Sequence, residues 1–327
     1  MRTAGIIRII IGLILAVLLT AILVVLLTGH NIFSNLGWNG GWINNLIDRA
    51  VYTSGGINDD TNEIVVSDQA SIPADSIQKI KIDWVAGSVE LRVGAGSEIT
   101  FSESSYRNLT ERQKMRYSVS ADGVLKINYC DDLDNIFDWF NVDSSMPAKA
   151  LVMEVPASLI GTLRDVEIDT VSASIDLSGV YGTETDLETV SGAINCTDVA
   201  VEKLGLSSTS GSIVCENAKA QKLDLENVSG STRAEGEFVE IDAENVSGST
   251  RLGCATVPVK INVDGVSGSI VVALPETASF TARLDSVSGS FTCDFNGKLG
   301  SDMVVIGDGS AEYRFNTVSG SLRIEKN

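Results

Sequence analysis

Carboxylates are the commonest chemistry-bearing side chains in this 327-residue chain, and they recur at fixed places. Aligned on the glycine of a repeated Val-Ser-Gly-Ser phrase, the fourth residue upstream is Asp169, Glu188, Ser207, Glu226, Glu244, Asp264, Asp285 and Asn316. Two further upstream stand Glu167, Asp186, Gly205, Asp224, Asp242, Asn262, Arg283 and Arg314. Two chemistries use acids this way. Paired carboxylates hydrolyse glycosidic bonds, and carbohydrate-active β-helix enzymes carry such pairs. Hard cations such as Ca²⁺ take oxygen ligands. Nothing in the columns selects one catalytic pair, and neither a G-G-x-G-x-D-x-U-x repeat nor an EF-hand loop is present. The acids therefore read as a solvated outer face, with weak Ca²⁺ binding left open and no cofactor expected.

Other nucleophile and metal chemistries fail on composition. The only histidine is His30, remote from the repeats, so Ser-His-Asp and Cys-His arrangements are absent. No G-x-x-x-x-G-K-[ST] or G-x-S-x-G occurs. The repeated serines are structural, since identical nucleophiles without a base accomplish nothing. Three of the five cysteines, Cys196, Cys215 and Cys293, share a column of Leu, Ala, Val and Ile and read as small buried apolar residues. Cys196 and Cys215 fall on adjacent repeats, close enough to permit a bridge in an oxidising compartment. The chain reads as non-enzymatic.

The elements that position these side chains follow from the repeat. The motif position is held by Ala173, Gly192, Gly211, Gly230, Gly248, Gly268, Gly289 and Gly320, separated by 19, 19, 19, 18, 20, 21 and 31 residues, with a further copy at Gly87. A period near twenty marks units that bury their apolar side only by stacking. Apolar columns lie five and two residues before the glycine and two and four after it, so each unit is a short strand, a kink and a second strand. The spacing predicts an all-β, β-solenoid or β-helix-like stack of coils, each about 4.8 Å thick. The motif serines are expected to point outward and the glycine inward or into an unusual backbone angle.

Gly5–Leu27 is almost wholly apolar and long enough to span a bilayer. Arg2 and Arg8 precede or enter it and no Lys or Arg follows before Arg49, which places the N-terminus in the cytoplasm and the rest outside. Without an A-x-A site or lipobox cysteine, the segment reads as an uncleaved signal anchor rather than a cleaved secretory signal. The expected organisation is residues 1–28 as stub and transmembrane anchor, 29–75 as juxtamembrane tether and linker, 76–165 as a divergent N-terminal β region, and 166–327 as the repeat stack. Within the divergent region, MRYSVSADGVLKINY predicts a hairpin around Asp122–Gly123 and KALVMEVP a strand ended by Pro156. Trp139 and Phe140, in an acidic aromatic stretch, read as a loop packed over the rod end, a ligand cleft being the alternative.

A net charge of −19 repels phosphate, which argues against nucleic acid as a partner. The span followed by IKIDWVAGSVELRVG, a VMEVP strand and tandem VSGS coils resembles the bacterial "putative adhesin" β-strand-repeat family of uncharacterised function. That resemblance, over residues 76–327, implies an extracytoplasmic solenoid-like domain on a bacterial membrane protein of the cell envelope, and supplies no catalytic residues. Two roles follow: a surface module that binds cell-wall polymer, another cell or an envelope protein, or an accessory sensor of envelope stress that acts through a membrane partner.

Overall fold

The computed structural model describes residues 65–130, 147–179, 181–300 and 303–327. His30, the apolar span and the Trp139–Phe140 stretch lie outside them. Among the described residues no helix is long and apolar enough to cross a membrane. The described chain is all-β and built as a solenoid-like stack.

The N-terminal part comprises β1 (Val65–Pro73), β2 (Lys79–Gly94), β3 (Glu98–Ser105), β4 (Arg116–Val119), β5 (Val124–Asn128) and β6 (Lys149–Pro156). The repeats comprise β7 (Asp165–Ser178), β8 (Tyr181–Thr189), β9 (Ile194–Thr197), β10 (Ala200–Ser208), β11 (Ile213–Cys254) and β12 (Lys260–Leu274). The last part comprises β13 (Phe280–Ser286), β14 (Ser290–Cys293), β15 (Lys298–Leu299), β16 (Met303–Ile306) and β17 (Ala311–Lys326). Each coil contributes one arm before the motif and one after it. The first arms stack in parallel as β5, β2, β7, β8, β10, β11, β12, β17 and β13. The second arms stack in parallel as β6, β2, β7, β9, β11, β12, β17 and β14. Antiparallel strands close the ends: β4 on β5 and β3 on β6 at one, β16 on β13 at the other. The hairpin at Asp122–Gly123 forms, with Gly123 at φ 78° in the turn.

Stack order departs from chain order at the end. β17 pairs with β12 on one side and with β13 and β14 on the other, so the Gly320 coil lies between those of Gly268 and Gly289. The chain steps past one level, lays down β13 to β16, and returns to fill the gap. This excursion accounts for the 31-residue spacing before the last motif.

The inside–outside register also differs from the alternation in one place. Inward side chains of the first arm lie seven, five and three residues before the glycine, as in Leu223, Leu225 and Asn227; those of the second arm lie two and four after it, as in Thr232 and Ala234. An odd separation across the motif requires a one-residue phase slip. The slip falls at the motif valine, which drops out of the ladder where Asn245 pairs with Gly265 and Ser247 with Ser267. The valines therefore sit at the bend rather than on the inward face of either arm, and their exposure runs from 5% at Val85 and 8% at Val246 to 61% at Val287.

Behind them runs a buried polar column that alternation alone does not reveal: Thr170, Thr189, Ser208, Asn227, Asn245 and Thr317. These side chains satisfy backbone groups freed by the bend. The Thr189 and Ser208 hydroxyls accept from the amides of Gly192 (2.9 Å) and Gly211 (2.8 Å). Asn227 donates to the Gly211 carbonyl at 3.2 Å, and Asn245 to Thr250 at 2.9 Å.

Candidate binding surfaces

The motif residues make a continuous ridge along the bend. The column reads Lys149, Gly87, Ala173, Gly192, Gly211, Gly230, Gly248, Gly268, Gly320 and Gly289. Each glycine sits against backbone of the neighbouring level; a Cβ on Gly192 would meet the Ala173 carbonyl at 1.9 Å, and one on Gly289 the Gly320 carbonyl at 2.4 Å. Gly87, Gly230, Gly248 and Gly268 also carry positive φ. Close approach, more than backbone angle, is what every glycine in the column shares.

The two motif serines are not equivalent. At five levels the first donates its hydroxyl to the valine carbonyl of the preceding level, as in Ser172 to Val85 (3.2 Å), Ser191 to Val171 (3.3 Å) and Ser247 to Val228 (3.3 Å), whereas Ser229, Ser288 and Ser319 are exposed. That ladder corrects the expectation that both hydroxyls face solvent. The second serines, Ser231, Ser249, Ser269, Ser321 and Ser290, are exposed, and the last four follow one another in register.

The acid columns occupy the outer face of the first arms, but they are not uniformly solvated. At the early levels Asp83, Glu167, Asp169 and Glu188 are buried, and Asp169 is 0% exposed. Lys81 lies among them, bonded to Glu167, 3.3 Å from Asp169 and 3.8 Å from Asp83, while Lys126 is 3.6 Å from Asp83. Burial, opposed by Lys81, pushes the Asp169 carboxyl up to about 7. Burial also raises Asp83. For Glu167 burial acts against ionisation, but Lys81 and Lys79 hold it below the usual carboxylate range.

Carboxyls driven apart in this way resemble the acid and base of a glycosidase. Here, however, Asp169 is closed to solvent and Lys81 occupies the space between the two. Among the described residues no group of three or more His, Cys, Asp or Glu side chains is placed to hold a metal ion. At later levels amides and cations interrupt the like charges. Asn262 donates to Asp242 and Asn316 to Asp264, both at 2.7 Å, and Lys222 bridges Asp224 (2.7 Å) and Asp242 (3.1 Å). Glu244 nevertheless titrates high, through burial and then Asp264, Asp242 and Asp224.

The raised Asp169 has a sign that can be tested. Folded pKa exceeds unfolded pKa, so the native state holds an extra proton between them, and this group makes stability fall as pH rises from about 4 to about 7. Asp169→Asn removes the charge. Its stability advantage over the parent chain should grow with pH by up to about 1.4 kcal/mol per unit across that window and level off above it. Denaturant melts of both proteins at pH 4.5, 6 and 8 measure this, and a constant difference would contradict it.

The outer face of the second arms is electrically balanced. Arg92 pairs with Glu90 and Glu154, Arg251 with Glu325, and Arg323 with Asp294. Such exposed pairs contribute little to stability. The molecule thus offers one acidic face, one balanced face and a hydroxyl-lined ridge between them.

Solved structures of similar fold include a "putative adhesin" from Bacteroides fragilis NCTC 9343, 13% identical, with 81% of this chain covered, 98% of that chain and a TM-score of 0.48. A "putative adhesin" from Parabacteroides merdae ATCC 43184 is 12% identical, covering 81% and 97% at a TM-score of 0.43. A "putative lipid binding protein" from Parabacteroides distasonis ATCC 8503 is 16% identical, covering 81% and 95% at 0.44. No curated protein matches the sequence. The Toastrack DUF4097 family model matches residues 77–325, the whole stack with most of its N-terminal cap, and the chain belongs to that family.

Proposed function

We propose that the protein is a non-catalytic surface-binding module, held at the outer side of a bacterial membrane by the apolar segment Gly5–Leu27, and that its ligand is an extended, hydroxyl-rich cell-wall polymer. The carrying observation is the ridge: exposed hydroxyls of Ser249, Ser269, Ser321 and Ser290 in register on successive levels. Levels spaced by about 4.8 Å present a linear array that a polymer with a short chemical repeat can follow. Many weak contacts of one kind then add along the chain without a pocket. Arg2 before the span and Arg8 within its start, with no Lys or Arg after it until Arg49, support the outward orientation.

The test is co-sedimentation of the full chain in detergent with isolated bacterial cell walls. Ser249→Arg combined with Ser269→Arg changes two exposed side chains and leaves the buried columns intact. We expect binding by the parent chain and at least a tenfold loss in the variant. Equal binding by both would remove the ridge from the reading. Absence of wall binding, with a membrane protein co-purifying instead, would favour the accessory-sensor role.

A further inference from the structure

We propose that Cys196 and Cys215 form a structural disulfide that staples two consecutive coils, and that it closes while those coils fold rather than afterwards. The two residues are direct Cα partners in the parallel pairing of β9 with β11. Adjacent parallel strands lie about 4.8 Å apart, within the Cα range that disulfides span. Their side chains share the inward column four residues after the motif glycine. Its neighbouring levels hold Leu177 on one side and Ala234 on the other, and both cysteines are at most 1% exposed. The neighbouring Cys215 thiol, together with burial, raises the Cys196 thiol.

Cys293 abuts Ile324 on the next level, and Cys254 and Cys130 lie outside the column, among the described residues. Two cysteines on consecutive levels, in a column whose other repeats hold Leu, Ala, Val, Ile and, at its far end, Cys293, thus form a dithiol inside the stack.

Burial sets the timing. A thiol sealed in the core and titrating high is a poor nucleophile and is out of reach of an oxidant. While the second arms are still open, one thiolate attacks an external disulfide, such as glutathione disulfide, and releases one glutathione thiolate. The second cysteine then displaces the remaining glutathione from the mixed disulfide. The balance is two protein thiols and one glutathione disulfide giving one protein disulfide and two glutathiones. The proposal holds wherever such an oxidant meets the folding chain and does not depend on the polymer-binding role.

The experiment is refolding of the full chain in detergent from the reduced, denatured state, with and without glutathione disulfide. It is followed by alkylation in denaturant and non-reducing peptide mapping after trypsin. Cleavage after Arg164, Lys203 and Lys219 puts Cys196 and Cys215 on separate peptides. With the oxidant, the two peptides should be joined at 2 Da below the sum of their thiol masses, with Cys130, Cys254 and Cys293 alkylated. The Cys254→Ser chain should give the same link, and adding the oxidant only after refolding should slow its formation at least tenfold. Alkylation of both Cys196 and Cys215 after oxidative refolding would overturn the proposal, as would linkage through any other cysteine. Equally fast closure in the prefolded protein would overturn the timing.

Discussion

Gly248→Ala should cost about 3 kcal/mol or more, while Gly265→Ala, on the next level and three residues before that level's motif glycine, should be neutral or slightly stabilising. A Cβ on Gly248 would lie 1.9 Å from the Gly230 carbonyl oxygen, and the residue has φ 134°. Backbone strain and overpacking each contribute roughly 1–3 kcal/mol, and the contacted atom is backbone that cannot rotate away. At Gly265 the nearest atom is the Asn245 carbonyl oxygen at 3.6 Å, an ordinary contact. There an alanine mainly narrows the unfolded ensemble, worth about 0.4–1 kcal/mol in favour of folding. Denaturant melts of the two variants decide it; similar losses would mean that the bend is not close-packed through its glycines.

Lys149→Ala should destabilise the N-terminal cap by about 3–5 kcal/mol. Lys149 occupies the motif column beside Gly87 but turns its side chain into the cap. Its ammonium bonds to Glu103 and the Tyr129 carbonyl, lies 2.6 Å from the Gln113 carbonyl, and sits 3.8 Å from the Tyr129 ring centroid. Neither Lys149 nor Glu103 is exposed, and burial lowers the lysine pKa against the pull of Glu103. Removing the cation leaves a buried carboxylate that still receives the Met115 amide at 3.0 Å but has lost its counter-charge. Lys149→Met with Glu103→Leu should lose less than either change alone, because the cost lies in the unpaired charge. If the double variant lost the sum of the two, the pair would be acting independently and the charge argument would fail.

How much of this was legible beforehand depends on what repeats. The period, the two arms and the inward columns at Leu206, Leu225 and Ile213 follow from side chains that alternate with backbone geometry. The slip at the valines did not follow, because Val171 or Val228 fits equally an inward core site and the outer side of a bend. Only the small polar residues just before them, Thr189, Ser208 and Asn227, mark which side needs hydrogen bonds. Burial of Asp169 was hidden for a different reason: its column repeats an acid at most levels, while its environment depends on Lys81, which is 88 residues away in sequence. The ridge hydroxyls were visible, but the division between Ser191, bonded into the stack, and exposed Ser249 was not. That division depends on which valine carbonyl lies beneath each serine.

The out-of-order last coil was the least legible feature, since near-identical units carry no address. The 31-residue gap before Gly320 was its one trace. Ser267 pairs directly with Ser319, whereas Ser267 and Ser288 lie two levels apart because the Gly320 coil intervenes. All three serines are exposed, and only the Ser267 hydroxyl gives up a bond, to the Val246 carbonyl at 3.4 Å, so cysteines there leave the core untouched. Zero-length oxidative cross-linking of the Ser267→Cys, Ser319→Cys chain should proceed readily across about 4.8 Å, and that of the Ser267→Cys, Ser288→Cys chain should fail across about 9.6 Å. The reverse result, a link between positions 267 and 288 and none between 267 and 319, would mean that the coils stack in chain order.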